Sequence, residues 1–194
     1  MKMNNVFPVE NTSSTTDLLI IGGGMAAAQL IRRLAHYGFQ GSILLAGEES
    51  VAGYNRVLLP HYLASQVSEA DLSNTALHES SAPAISYRLG VRVESLDTAM
   101  RRAELSDGTS VHFGQVVLAM GSAVVKPPAA EQPMPGVMSL RNWADADALQ
   151  DVASRGEPIL FVGGGLLGLE AADAVLSTGC PVPPIQRSLR RMTR

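Results

Sequence analysis

Two glycine-rich segments, each directly after a short apolar run, constrain this chain more than any other feature of its sequence. The first, residues 22–27 (Gly-Gly-Gly-Met-Ala-Ala), follows the run at 17–21. The second, residues 163–168 (Gly-Gly-Gly-Leu-Leu-Gly), follows the run at 158–162. Both fit the pattern Gly-x-Gly-x-x-(Gly/Ala), which joins a buried parallel strand to a helix in dinucleotide-binding folds. The sequence therefore predicts two strand-loop-helix units, one for each of two dinucleotides.

The residue types of the first loop suit a pyrophosphate. Gly22 allows the tight turn, Gly24 lets the backbone approach the anion, and Ala27 packs the helix against the strand. Main-chain N–H groups and the positive end of the helix dipole favour negative charge there, so no cationic side chain is required. The predicted site of this loop comprises Gly22, Gly23, Gly24, Met25, Ala26 and Ala27.

Two acidic residues follow the next predicted strand, residues 42–46, which closes the first βαβ unit. An acid at this place binds the ribose of a dinucleotide. Glu48 lies somewhat farther beyond Gly22 than the spacing of about 20 residues that is typical of such an acid. We prefer Glu48, with Glu49 as the close alternative, and either side chain alone is equally well explained as a solvated surface charge.

The second loop fits the glycine pattern fully, with Gly163, Gly165 and Gly168. Glu170 is predicted to lie in the first turn of the following helix, where a carboxylate interacts favourably with the helix dipole. We assign Glu170 to the cofactor site, with a purely helix-stabilising charge as the alternative.

The remaining periodicity predicts an α/β chain in which a β-hairpin turns at Asp107-Gly108 and leads into a buried parallel strand. A Pro-rich crossing at 127–136 is expected to mark a domain boundary. The other predicted elements are helices at 25–37, 145–154 and 166–177, a capped helical turn at 68–72, the start of a strand at 90–93, hairpin strands at 102–105 and 110–113, and the parallel strand at 116–119.

Composition excludes several classes of function. The net charge of the 194 residues is −3, which gives no basic surface for nucleic acid. No apolar run reaches the roughly 18 residues needed to span a bilayer, and residues 1–16 lack the apolar stretch of a signal peptide. We therefore expect a cytoplasmic protein that binds neither nucleic acid nor membrane.

Cysteine and histidine usage limits the chemistry further. Cys180 is the only cysteine, so a disulfide framework, an iron-sulfur cluster and a redox-active cysteine pair are all excluded. The four histidines show no metal-ligand spacing. The sequence thus identifies no metal site and no catalytic side chain, and a bound cofactor must carry any redox chemistry.

Together, these motifs resemble the FAD-dependent pyridine nucleotide oxidoreductases related to ferredoxin and rubredoxin reductases, over about residues 17–180. Within that family, Gly47-Glu48-Glu49 followed by the segment 54–59 (Tyr-Asn-Arg-Val-Leu-Leu) is similar to the flavoprotein portion of assimilatory NAD(P)H nitrite reductase. The resemblance implies two Rossmann-like lobes with parallel sheets, and FAD and NAD(P)H as cofactors.

The resemblance also implies further contacts with the flavin cofactor. Arg56 would contact the FAD pyrophosphate or the flavin, and Val93 would lie beside the adenine. Ala119 and Gly121 stand in the family's Ala-Thr-Gly segment, where this chain has Met120 and so lacks the threonine hydroxyl. His61 stands where ferredoxin reductases carry a lysine.

In the function that the resemblance implies, hydride passes from NAD(P)H to FAD, and electrons continue to a nitrite-reducing module. A small redox protein as acceptor, as in ferredoxin and rubredoxin reductases, is the first alternative, and a non-catalytic FAD-binding fragment is the second. The sequence chooses neither between NADH and NADPH nor among oligomeric states.

The expected domains are a disordered tail at 1–16, an FAD-binding domain at 17–123, a linker at 124–157 and a partial NAD(P)-binding domain at 158–194. Pro181, Pro183 and Pro184 disfavour the central strand that the second lobe needs after its helix. We therefore expect both lobes to be incomplete, through truncation of the chain or, alternatively, because a partner chain supplies the missing parts.

Overall fold

The computed structural model describes residues 13–73, 84–125, 132 and 134–185. The chain divides into two compact units. Unit 1 consists of Met1–Tyr54 and Asn74–Gly121, and unit 2 consists of Asn55–Ser73 and Ser122–Arg194. Residues 55–73 thus group with the C-terminal part of the chain, whereas the sequence interpretation kept them in the first lobe.

Unit 1 is built on a six-stranded sheet with the order β3-β2-β1-β6-β5-β4. The first four strands of that order are parallel to one another, and β5 and β4 continue the sheet antiparallel. The mainly parallel α/β architecture and its hairpin are as predicted. The elements are β1 (Ser13–Ile21), α1 (Met25–His36), β2 (Ile43–Gly47), β3 (Ile85–Leu89), β4 (Val93–Asp97), β5 (Arg102–Leu105) and β6 (Ser110–Leu118).

Strand β1 is apolar throughout its second half because both of its faces are covered. Leu18 and Ile20 belong to a buried cluster that includes Ile31 of α1. Leu19 and Ile21 belong to a second buried cluster, which includes residues of β2, β5 and β6. Burial of each such side chain contributes about 1.5–3 kcal/mol to folding. This strand therefore fixes the position at which the first glycine loop begins.

Strand β1 begins at Ser13, within the segment that we expected to be a disordered tail. Its residues Ser13–Thr16 pair in parallel with β6, and the Thr16 side chain is buried. The Thr16 hydroxyl donates to the Ser42 carbonyl at 3.1 Å, which satisfies a polar group inside the sheet. The prediction was wrong for these residues because their pairing with β6 depends on tertiary context, which the polar sequence does not reveal. Residues 1–12 lie outside the described part.

The predicted hairpin strand at 110–113 and the parallel strand at 116–119 form one continuous strand, β6. Its first residues pair antiparallel with β5, and its whole length pairs in parallel with β1. The hairpin turns at Asp107-Gly108 as predicted, with Gly108 at φ +81°. One strand thereby connects the hairpin to the edge of the sheet where the glycine loop lies.

Unit 2 is mainly helical. It contains a 3-10 helix (Arg56–Leu58), α2 (Leu59–Leu63), α3 (Glu69–Leu72), α4 (Trp143–Ser154), β7 (Phe161–Val162), α5 (Leu166–Ser177) and β8 (Pro184–Ile185). Its core is formed by Leu63, Leu149, Ala153, Ala174, Val175 and Cys180.

Polar contacts join α2 to α4 within unit 2. The Tyr62 hydroxyl donates to Asp147 Oδ1 at 2.8 Å, and the Tyr62 ring packs edge-on against Trp143 with 5.8 Å between ring centroids.

Helix α4 begins two residues before the predicted start at 145, because Asn142 and Asp145 form a reciprocal capping box. Ser68 and Asp71 form another at α3, at the predicted position.

The proline-containing segment after α5 forms a short strand, contrary to expectation. β8 pairs in parallel with β7 over two residues, and the Ile159 N–H donates to the Pro181 carbonyl at 3.0 Å. Proline lacks the N–H donor but keeps the carbonyl acceptor, so it limits this pairing without abolishing it. Of the predicted crossing at 127–136, residues 127–131 and 133 lie outside the described residues.

None of the helices in the described ranges combines the length and the apolar character that crossing a membrane requires.

Candidate functional site

The first glycine loop connects β1 to α1 in unit 1. Gly22 has φ +104°, and its N–H donates to the Ala46 carbonyl of β2 at 2.7 Å. A Cβ on Gly22 would lie 2.4 Å from the Ala119 carbonyl oxygen. Since L residues rarely adopt this φ and the space is filled by backbone, only glycine fits at position 22.

Gly24 has a different environment. It caps the N terminus of α1 with φ −80° and ψ −172°, and a Cβ at this residue would meet no atom of the described residues within 4 Å. The first N–H groups of a helix have no acceptor within the helix. Gly24, the N-cap residue of α1, provides no capping side chain. The open space above Gly24 is therefore suited to an anionic group such as a phosphate.

The residues around Gly24 hold the loop in place. Ala27, the third position of the motif, is fully buried in the cluster between α1 and the sheet. Gly23 lies against the segment after β2, where its carbonyl accepts from the Gly53 N–H at 2.7 Å. Met25 and Ala26 occupy the first turn of α1 with exposed side chains. All six predicted loop residues thus lie around one open helix N terminus.

The two candidate ribose acids follow β2 but differ in their contacts. Glu48 is exposed, and its carboxylate forms an ion pair with Arg92. Glu49 is half-buried, and its carboxylate accepts a hydrogen bond of 2.6 Å from the hydroxyl of buried Tyr54. Gly47 lies directly beside the loop, since a Cβ there would be 3.4 Å from the Gly23 nitrogen. The sequence pattern did not reveal the Arg92 and Tyr54 contacts, because both depend on tertiary structure.

Three further predicted residues of unit 1 lie near the ends of strands. Ala119 follows β6, and its N–H donates to the Ile21 carbonyl at 2.8 Å, which places it beside the start of the loop. Gly121 has φ +70°, and the side chain of Met120 is exposed. Val93 begins β4, and its side chain packs against the second buried cluster of the sheet.

The second glycine loop connects β7 to α5 in unit 2. Gly163 has φ +123°, and in the described part of the chain a Cβ on Gly163 or on Gly165 would meet no atom within 4 Å. Gly165 caps α5 with φ −73° and ψ 171°, close to the angles of Gly24. A Cβ on Gly168 would lie 2.6 Å from the Gly163 carbonyl oxygen. This loop therefore also presents an open helix N terminus, and its third glycine allows close packing.

Glu170 does not lie in the first turn of α5. The helix begins at Leu166, so Glu170 is its fifth residue, and the first turn contains no acidic residue. The interaction with the helix dipole decreases beyond the first turn. The predicted stabilisation of the helix N terminus by Glu170 is therefore wrong, whereas its assignment to the cofactor site stays a prediction.

Arg56 belongs to unit 2, where it begins the 3-10 helix. Its Nη1 donates to the Arg141 carbonyl at 3.0 Å. Both arginines line a cleft of about 280 Å³ together with Leu59, Ala123, Val124, Leu140 and Leu167. No contact was predicted for Arg141, because the resemblance of the segment that contains it, Leu140-Arg141 followed by residues 145–149, to the family's entry into the NAD(P)H domain assigns no side-chain contact. Within the described residues, no cluster of three or more His, Cys, Asp or Glu side chains suits a metal ion.

Comparison with known proteins identifies relatives that match most of this chain. The chain is 33% identical over 177 residues to the ferredoxin–NAD(+) reductase component of the p-cumate 2,3-dioxygenase system of Pseudomonas putida, covering 91% of this chain and 44% of that protein. It is 28% identical over 178 residues to rubredoxin-NAD(+) reductase of the same organism, covering 91% of this chain and 46% of that protein. The chain thus spans less than half the length of these relatives.

A solved structure shows the same fold. The putidaredoxin reductase of a covalent complex with putidaredoxin matches 92% of this chain with a TM-score of 0.78 and 23% identity, over 44% of its own length.

The family model for pyridine nucleotide-disulphide oxidoreductases matches residues 16–194. Proteins of this family are FAD-containing, NAD(P)H-dependent reductases, which is the cofactor pair that the resemblance implied. The chain therefore belongs to the pyridine nucleotide-disulphide oxidoreductase family.

Proposed function

We propose that this chain carries the flavin and nicotinamide nucleotide sites of an NAD(P)H-dependent reductase that passes electrons to a small redox protein of the ferredoxin or rubredoxin type. In this proposal, unit 1 binds FAD and unit 2 binds NAD(P)H. FAD accepts a hydride from the nicotinamide and releases the electrons to the acceptor.

One observation carries the proposal. Each unit has an open helix N terminus capped by the second motif glycine of the pattern Gly-x-Gly-x-x-(Gly/Ala), which is Gly24 in unit 1 and Gly165 in unit 2. In both places the extended backbone and the empty space above the glycine suit a diphosphate held by main-chain N–H groups. Two such loops in one chain are what an enzyme with two dinucleotides requires.

The names of the relatives support a small redox protein as the electron acceptor. Their names specify a ferredoxin reductase component and a rubredoxin reductase, so a small redox protein is favoured over the nitrite-reducing module. The nitrite-reductase interpretation depended only on the short segments 47–49 and 54–59. Because the chain spans less than half of these relatives, activity of the 194 residues alone is part of the proposal.

Visible absorption of the purified full chain tests the proposal. We expect a flavin spectrum, or its appearance after incubation with FAD, followed by bleaching when NADH or NADPH is added anaerobically. The subsequent addition of an oxidised ferredoxin or rubredoxin should restore the flavin absorbance. A chain that takes up no FAD would contradict the assignment of the first loop, and flavin that no nicotinamide nucleotide reduces would indicate a non-catalytic FAD-binding protein.

Two matched variants assign the loops separately. A Cβ at position 24 or 165 meets no atom of the described residues within 4 Å, and valine suits the extended backbone there, so we expect Gly24→Val and Gly165→Val both to fold. Gly24→Val should lose FAD because the side chain blocks the approach of the diphosphate. Gly165→Val should keep FAD but lose reduction by NAD(P)H. Unchanged flavin content in Gly24→Val would refute the assignment of the first loop.

A further inference from the structure

Glu48 and Arg92, which form an ion pair in unit 1, are both held by their main chains. The carbonyls of Gly47 and Glu49, on either side of Glu48, accept hydrogen bonds of 3.0 Å from the N–H groups of Val91 and Gly90. The strand end that carries Glu48 is therefore joined to the segment before Arg92.

Arg92 is fixed in turn by Ser106, at the turn of the hairpin. The Arg92 N–H donates to Ser106 Oγ at 3.0 Å, and the Ser106 N–H donates to the Arg92 carbonyl at 2.8 Å. Because both main chains are anchored, forming the ion pair orders only the two side chains. The entropic cost of the pair is therefore confined to its two side chains.

The location of the pair indicates its function. Gly47, directly before Glu48, lies against Gly23 of the first loop. A lone carboxylate beside a bound diphosphate would repel it, and a guanidinium on that carboxylate offsets the negative charge. The guanidinium contacts Oε1 of Glu48, and a carboxylate with one oxygen engaged retains further lone pairs for a hydroxyl donor.

We propose that Arg92 is a positioning residue for the adenosine ribose of the dinucleotide in unit 1. It holds the Glu48 carboxylate where a ribose hydroxyl donates to it, and it neutralises that carboxylate beside the diphosphate. Glu49 serves a different purpose, since its bond from Tyr54 closes the segment that follows β2. The inference rests on the proposed function, because it takes FAD as the ligand of the first loop.

Binding of FAD analogues to the full chain, measured by flavin fluorescence, tests this inference. The probes are FAD and two analogues whose adenosine lacks the 2′- or the 3′-hydroxyl. Wild-type protein should prefer FAD over at least one analogue by about tenfold, the value of a hydrogen bond to a charged group. Arg92→Met should lose most of that preference, and Arg92→Lys should restore part of it because the positive charge returns.

Two further variants separate positioning from general stability. Glu48→Gln should also lose the preference, and the double variant of Glu48→Gln with Arg92→Met should lose no more than Glu48→Gln alone. Arg88→Met is the matched control, since it removes another exposed ion pair of unit 1, between Arg88 and Asp107 at 3.3 Å. It should keep the full preference for FAD.

The outcomes distinguish this inference from the proposed function. Wild-type protein that binds no flavin overturns both. Wild-type protein that binds FAD without discriminating against either analogue, Arg92→Met protein that discriminates as wild type does, or an equal loss in Arg88→Met overturns only the role of Arg92.

Discussion

The two glycine loops share a motif and a local backbone, but their glycines are required for different reasons. In unit 1, the first glycine is tightly enclosed, because a Cβ on Gly22 would lie 2.4 Å from the Ala119 carbonyl oxygen. In unit 2, the first glycine is open and the third is enclosed, because a Cβ on Gly168 would lie 2.6 Å from the Gly163 carbonyl oxygen. The third position of the first loop is Ala27, whose methyl group is buried.

The difference follows from what surrounds each loop. The first loop starts from a strand within a six-stranded sheet, and Ala119, directly after the neighbouring strand β6, places its carbonyl against Gly22. In the described part of unit 2, β7 pairs only with the two-residue β8, so the loop packs against its own helix. A shared phosphate-binding motif therefore does not imply shared packing constraints.

The largest expected effect separates the first glycines. Gly22→Ala combines an unfavourable φ with overlap against backbone and should destabilise unit 1 by about 3–5 kcal/mol. Gly163→Ala meets only the unfavourable φ and should cost about 1–2 kcal/mol. Urea titration measures both changes in unfolding free energy. Hydrogen exchange of the β1 amides reports on unit 1, and the fluorescence of Trp143, the only tryptophan of the sequence, reports on unit 2. Equal costs would refute the contrast.

A smaller effect is expected at the third positions. Alanine favours a helix over glycine by about 1 kcal/mol, yet Gly168→Ala should destabilise α5 by about 1–2 kcal/mol because the new methyl overlaps the Gly163 carbonyl. The reciprocal Ala27→Gly should also cost about 1–2 kcal/mol, through a lost buried methyl and lower helix propensity. The same unfolding titrations apply. If Gly168→Ala were neutral or stabilising, α5 would be able to shift away from the Gly163 carbonyl at little cost, and the predicted overlap would be refuted.

The smallest effect concerns how unit 2 is held together without a large sheet. Tyr62→Phe removes the hydrogen bond to Asp147 and should cost about 1 kcal/mol at neutral pH. Burial, together with nearby Asp147, raises the pKa of Tyr62 above its ordinary value of 10.0.

The raised pKa gives this prediction a pH signature. The protonated phenol is favoured in the folded state, so its contribution is complete below pH 10 and is lost as the pH rises beyond that value. The difference in unfolding free energy between wild type and Tyr62→Phe should therefore shrink above pH 10. Tyr37→Phe, at an exposed position, is the control and should leave the unfolding free energy unchanged both below and above pH 10. A difference that stays constant with pH would contradict the role of the Tyr62 phenol.

Much of the fold was predictable because local patterns agree with tertiary packing. The apolar run at 17–21, the helices after both loops and the hairpin at Asp107-Gly108 appear in the structure. The run at 158–162 was predicted to be a buried strand, but it forms a strand only at Phe161–Val162, and Leu160 and Val162 are exposed. Polar residues 13–16 form a strand and residues 110–118 form one strand instead of two, and neither result has a local signal. Pairing with β1 decided the second result, because it runs along the whole of β6.

The candidate site was only partly predictable. The glycines were identifiable because a phosphate loop needs particular residue types at fixed spacing. The pattern did not choose between Glu48 and Glu49, whose partners, Arg92 and Tyr54, emerge only when β2 and the segments around it are assembled. The start of α5 at Leu166 was predicted correctly, and Glu170 was misplaced because a helical turn has only 3.6 residues, which puts the fifth residue beyond the first turn.

The sequence alone determined the two loops, the helices that follow them and the family, since these depend on residue type and on spacing along the chain. Tertiary structure decided which glycine of each loop is sterically required, which acid is paired with a guanidinium, and that residues 55–73 belong with the second unit. These features depend on atoms brought together from distant parts of the chain. Their positions are set by the packing of strands and helices, which no local pattern encodes.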